Sequence, residues 1–182
     1  MNAADPGRSS GAGPHAGSSA DDSLLPVGRF GGRSEFGDLI RQAFRAAATQ
    51  GWREIIISDA NFEDWPLGER AVTEALGDWS RTGRKLTMLA RNYDAVTRRH
   101  PRFVSWRQTW SHIIECRANA LGPSDSLPSA LWSPVWVFER IDLERSAGYC
   151  GPEASRRVAL RESLNERLLK SAPAFPATTL GL

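Results

Sequence analysis

The sequence of 182 residues has only two cysteines, three histidines and two lysines, and each scarcity removes chemistry. Cys116 and Cys150 lie far apart and form no Cys-x-x-Cys pair, which argues against a disulfide framework and a structural zinc site. That usage fits a reducing cytoplasm. Lys85 and Lys170 are the only candidates for a Schiff-base or phosphate-loop lysine, and neither stands in a suitable motif. No Gly-x-Gly-x-x-Gly, Gly-x-Ser-x-Gly or His-Glu-x-x-His occurs, so dinucleotide-binding, serine-hydrolase and zincin readings lose their main support. No apolar run approaches the roughly 18 residues that a membrane-spanning helix needs. The N-terminus has no basic stretch leading into an apolar core, so no secretory leader is expected. Neither a metal nor another cofactor is expected.

What remains is the composition of one soluble globular domain, 41% apolar and 24% charged. Twenty-three basic residues against 21 acidic ones leave a formal charge of +2, which gives no global argument for nucleic acid or an anionic membrane. Twenty-one of the bases are arginine, a bias that GC-rich codons produce without functional cause. The small net charge hides a polarity along the chain. Residues 53–79 hold two arginines against seven acids (Glu54, Asp59, Glu63, Asp64, Glu69, Glu74 and Asp78). Residues 81–107 hold eight bases (Arg81, Arg84, Lys85, Arg91, Arg98, Arg99, Arg102 and Arg107) against Asp94 alone. Either the two stretches pair with each other, or the basic one faces phosphates or nucleic acid, with Trp106 and Trp110 available to stack on bases.

Residues 1–33 carry seven of the 16 glycines and no aromatic before Phe30, too little apolar surface to offset chain entropy, and are expected to form a disordered arm. Residues 34–171 are expected to form the domain, and residues 172–182 an extended tail that packs only if Phe175 finds a groove. Phe36, Leu39, Ile40, Ala43, Phe44 and Ala47 fall on one helical stripe, with Ser34 placed to cap it and Gly51 to end it. Residues 53–58 and 85–90 are short apolar runs without polar alternation, the pattern of strands covered on both faces. Between them, Asp64 is placed to cap a helix with Pro66 in its first turn, running through Leu67, Ala71, Val72, Ala75, Leu76 and Trp79 to Gly83. A short helix over 93–99 and a strand over 102–106 follow. Residues 112–116 fit a strand or a helical turn, and 121–134 form a Pro/Ser-rich loop. Residues 135–138 and 141–149 are read as antiparallel strands, and a last helix runs from Pro152 to about Lys170 with Ala154, Val158, Leu164 and Leu168 inward. The alternation predicts an α/β fold: a mainly parallel mixed sheet flanked by helices, in a single domain.

Ligands of such folds bind past the carboxyl ends of the parallel strands. The residues expected there are Asp59 and Asn61, then Arg91 and Asn92, then Arg107, with Arg102 and His112 near by. Together they would form a polar site for an anionic group. Asp59 and Asn61 equally suit a turn that hydrogen-bonds its own backbone. A Cys116/His112 nucleophilic pair is conceivable on a helix, where residues four apart are neighbours, but not on a strand. Trp65, Trp106 and Trp110 are candidates to line a groove or a partner surface.

The order of elements over residues 34–170 resembles one half of a phospholipase D-like domain. That resemblance implies a His-x-Lys motif followed by Asp, and this chain departs from it: His100 precedes Pro-Arg, His112 precedes Ile-Ile, and neither lysine has a histidine two places before it. It therefore implies a degenerate member without the nucleophile, so no catalytic residue carries over. The chain also has the general look of arginine-rich bacterial proteins. The leading expectation is a non-catalytic cytoplasmic α/β domain that binds a protein partner, a second copy of itself or a phosphate-bearing ligand. The alternatives are a phosphodiesterase-like enzyme with Asp59 or His112 as acid/base, and a nucleic-acid-associated protein.

Overall fold

Residues 25–83, 85–119 and 127–177 are described by a computed structural model. The first helix, α1 (Arg33–Gln50), forms because its apolar stripe repeats with the helical period, and all six stripe residues are buried. Gly51 ends it in the left-handed conformation at φ 65°, where a side chain would be strained. The helix begins one residue before Ser34, and Gly32 occupies the cap position.

The strands are β1 (Gly28–Phe30), β2 (Glu54–Ser58), β3 (Lys85–Ala90), β4 (Ile114–Ala118), β5 (Ser129–Trp132), β6 (Val137–Asp142), β7 (Ala147–Gly151) and β8 (Ala172–Pro173). They form one mixed sheet in the order β1-β7-β6-β5-β2-β3-β4-β8. The centre, β2-β3-β4, is parallel, and every flanking pair is antiparallel. Helices α1, α2 (Arg70–Ser80), α3 (Asp94–Arg99) and α4 (Pro101–Thr109) cover one face. There Ile55, Ile57, Leu86 and Met88 pack with Phe36, Phe44, Trp79 and Phe103. Helix α5 (Ala154–Leu169) lies on the other face, where Leu160 and Leu164 meet Ile56, Ala130 and Val137. The α/β fold and the mixed sheet are as expected, but the sheet is parallel only across β2-β3-β4 rather than mainly so, and no described helix is long and apolar enough to cross a membrane.

Several boundaries differ from the sequence reading. Gly28–Phe30, placed there in the arm, pairs with β7, and Pro26 accepts hydrogen bonds from Trp136 Nε1 (2.9 Å) and Cys150 Sγ (3.4 Å). Residues 1–24 lie outside the described residues. The expected strand over 102–106 is instead helix α4, because Pro101 sits in its first turn and Phe103, Trp106 and Arg107 share its buried face. Ser129–Trp132 is β5 rather than loop, and residues 121–126 of that expected loop are outside the described residues. The two late strands shift to 137–142 and 147–151: Ser133 Oγ caps the turn at Trp136, and Ser146 breaks the longer run with φ 50°. Helix α2 starts at Arg70, not after Asp64, and α5 buries Leu160 and Leu164 while Ala154 and Val158 are exposed. Phe175 of the tail does find a groove, stacked on Tyr93 with centroids 4.9 Å apart, and residues 178–182 are outside the described part.

Two glycines give opposite expectations. A Cβ at Gly148 would meet Arg140 Cα and Phe30 Cζ at 2.8 Å each, so Gly148→Ala should cost ~3 kcal/mol by overpacking. At Gly77, inside α2, nothing lies within 4 Å of an added Cβ, and Gly77→Ala should gain ~0.5–1 kcal/mol. Urea denaturation of the two variants checks both signs.

Candidate functional site

Asp59 follows the last residue of β2, and its amide bonds to Leu89 O of β3 (3.1 Å), so the parallel pairing fixes where its side chain starts. The carboxylate is only 4% exposed. Its Oδ1 accepts from the amides of Asn61 (3.1 Å) and Phe62 (2.9 Å), the turn expected from the sequence. Its Oδ2 accepts from Trp65 Nε1 and Arg140 Nη2, each at 3.1 Å. Arg140 comes from β6, two positions beyond Phe138 on the same inward face, and is equally buried. Its Nε donates to Ser129 Oγ (3.1 Å), its Nη1 to Asp64 Oδ2, and its Nη2 also to Asp64 Oδ1 (3.2 Å). The guanidinium lies 4.1 Å from the Phe36 ring centre, on an aromatic floor that also contains Trp65 and Phe138.

This cluster borders a cavity of about 520 Å³ at the carboxyl end of β2, where the sheet turns from parallel to antiparallel. Asp59, Asn61, Glu63, Asp64, Arg33, Arg99 and Arg140 line it, three arginines among four acid or amide neighbours on the opposing side. Glu63 and Arg99 pair across its rim at 2.6 Å. The charges therefore largely compensate one another, and both buried members have their polar atoms engaged.

Of the expected site residues, the structure brings Asp59 and Asn61 to this cavity and places the others elsewhere. Arg91 anchors the crossover end, its amide donating to Ala60 O at 2.9 Å. Asn92 is exposed and its side chain accepts from the amide of Asp94 at the start of α3 (3.3 Å). Arg102 is exposed on the first turn of α4 and reaches Gly68 O at 3.3 Å. Arg107 is buried on the inward face of α4, its Nε donating to Cys116 Sγ at 3.2 Å. His112 lies in a short 3-10 turn (Ser111–Ile113) before β4, at the opposite end of the parallel strands from Asp59, exposed and packed against Trp110.

The Cys116 thiol is therefore held by Arg107 rather than by His112. Burial pushes that thiol up, with the Arg107 hydrogen bond opposing only in part, which disfavours the thiolate a nucleophile needs. Trp65 and Trp106 are core residues, the latter donating to Ser80 Oγ at 3.2 Å, and only Trp110 of the three stays near the surface. The sequence reading passed over Arg140, Ser129 and Arg99. No local signal marks Arg140, which falls between the two expected strands and gains its inward position beside Phe138 only in β6. Among the described residues, no group of three metal-ligating side chains converges.

No family model and no curated protein matches the chain. Among solved structures it is similar to TrmBL2, an archaeal chromatin protein whose structure shows a novel mode of DNA binding. The TM-score is 0.63 at 13% identity, over 86% of this chain and 57% of that one. The likeness is one of fold, and this chain spans little more than half the length of that protein.

The two histidines among the described residues distinguish architecture from chemistry. His100 is buried, with Nδ1 accepting from the Gly68 amide (3.1 Å) and Nε2 facing Phe62 O (2.9 Å). His100→Ala should cost ~2 kcal/mol by orphaning a buried amide and carbonyl. His112→Ala should stay within about 0.5 kcal/mol of the parent, as an exposed substitution does. Thermal and chemical denaturation of both variants measure the contrast.

Proposed function

We propose that this chain is a non-catalytic α/β binding domain that associates with nucleic acid through exposed arginines at the corner between α3 and α4. The observation that carries the reading is the distribution of ion pairs. Most acids of residues 53–79 take partners outside the basic stretch: Glu54 pairs with Arg161, Asp59 and Asp64 with Arg140, Glu69 with Arg41, and Glu74 with Arg70. Among the ion pairs of the described residues, Glu63 with Arg99 and Asp78 with Arg81 join the two stretches. Arg98 and Arg102 are exposed on either side of the α3–α4 corner, Arg102 reaching Gly68 O, and neither has a carboxylate partner among the described residues. Exposed arginines suit phosphate contacts, which give sequence-independent and salt-dependent affinity.

The fold shared with a DNA-binding chromatin protein supports the same reading. A relationship to phospholipase D-like domains remains part of the proposal, with the chain as a member lacking the His-x-Lys nucleophile. A protein of this kind would work in the cytoplasm, at the nucleoid.

Fluorescence anisotropy with a short DNA duplex tests the proposal. Binding should be measurable at about 50 mM salt and fall by at least tenfold toward about 200 mM. The double variant Arg98→Glu/Arg102→Glu should weaken binding by about tenfold or more and flatten the salt slope by roughly two. No binding at the lower salt, or an unchanged affinity and slope in the double variant, would overturn it.

A further inference from the structure

Among the described residues two arginines are buried, and of these Arg140 alone has carboxylate partners. Arg140 meets two carboxylates and a hydroxyl. Arg107, 5% exposed on the inward face of α4, takes part in no ion pair among the described residues. Its Nε is directed at Cys116 Sγ, a weak acceptor, and its Nη1 is buried without any hydrogen-bond partner. A buried guanidinium in that state is destabilising unless something anionic joins it.

Beside Arg107 lies a cleft of about 230 Å³, separate from the cavity at Asp59. Val104, Phe175 and Pro176 form its apolar walls, and Thr97 and Gln108 add polar groups. Phe175 lies over the guanidinium, 4.8 Å from its carbon to the ring centre, and stacks on Tyr93 at an interplanar angle of 7°. The tail reaches this position because β8 pairs with the edge of β4 and the chain then turns through Phe175 at φ 48°. The ring is half-buried, sits on a backbone at a strained positive φ, and covers the guanidinium.

We propose that this cleft binds a compact organic monocarboxylate, which supplies the counterion that Arg107 lacks. A guanidinium presents two parallel N–H groups that match a carboxylate, and the apolar walls suit a short hydrocarbon or aromatic body. At ~30 Å³ per water the cleft holds the equivalent of about seven or eight waters, which limits the acid to the size of benzoate. Nucleic acid does not fit this cleft, so the site is independent of the arginine corner.

The test is thermal unfolding and calorimetric titration of the full chain with benzoate, with benzamide as the uncharged isostere and with inorganic phosphate. Benzoate should raise Tm in a concentration-dependent way, and benzamide should not. Arg107→Met, which replaces an unpaired cation with an apolar chain, should fold, raise Tm without ligand and lose the benzoate response. Gln108→Glu keeps Arg107 and gives the cleft its own carboxylate, and it should weaken benzoate binding at least tenfold. Equal responses to benzoate and benzamide, or benzoate binding that survives both substitutions, would overturn the proposal. Phosphate binding as well as benzoate would overturn the assignment to a carboxylate.

Discussion

The structure depends on one buried charge cluster. Arg140 projects from β6 into the space where β2, the loop after it and helix α1 meet, and a guanidinium there must have its five N–H donors satisfied or the fold loses several kcal/mol. Asp59 and Asp64 of the loop after β2 and Ser129 of β5 accept four hydrogen bonds from it, while Phe36 covers the planar face. The cluster thus sets the antiparallel flank against the parallel centre. It also fixes the loop between β2 and α2, because Asp59 simultaneously holds Trp65 and two backbone amides.

That arrangement explains the chain's charge pattern. Asp59 and Asp64 belong to an acidic stretch that stands next to a basic one in sequence, yet their cation arrives from residue 140. Glu54 likewise pairs with Arg161 of α5 and Glu69 with Arg41 of α1. Because the acids are drawn to other elements, the arginines of α3 and α4 divide into three kinds. Arg99 pairs at the cavity rim, Arg107 is buried under Phe175, and Arg98 and Arg102 face solvent. The functional reading follows from this division more than from the net charge of +2.

Much of the fold was legible where a single physical rule acts alone. Helix α1 was read from its stripe, and β2 and β3 from apolar runs buried on both faces. Helix α4 was misread because Arg107 is one of its three buried residues and counts as polar in any periodicity. Strand β5 was hidden by the Pro and Ser residues around it, although Ala130 and Leu131 are fully buried. At the site, the Asp59 turn was visible because an aspartate after a strand bonds its own loop, whereas Arg140 was not. Its role requires the β5–β6 hairpin, with Ser129 opposite Arg140, and no local pattern encodes that pairing.

The central claim is that the carboxylates at the carboxyl end of β2 are held by Arg140 as part of the architecture. A double-mutant cycle over Asp59→Asn and Arg140→Met, followed by urea denaturation, measures this directly. The account predicts a coupling free energy of about 1.5 kcal/mol or more, because each single variant strands a buried partner. Losses that simply add, to within about 0.5 kcal/mol, would contradict it.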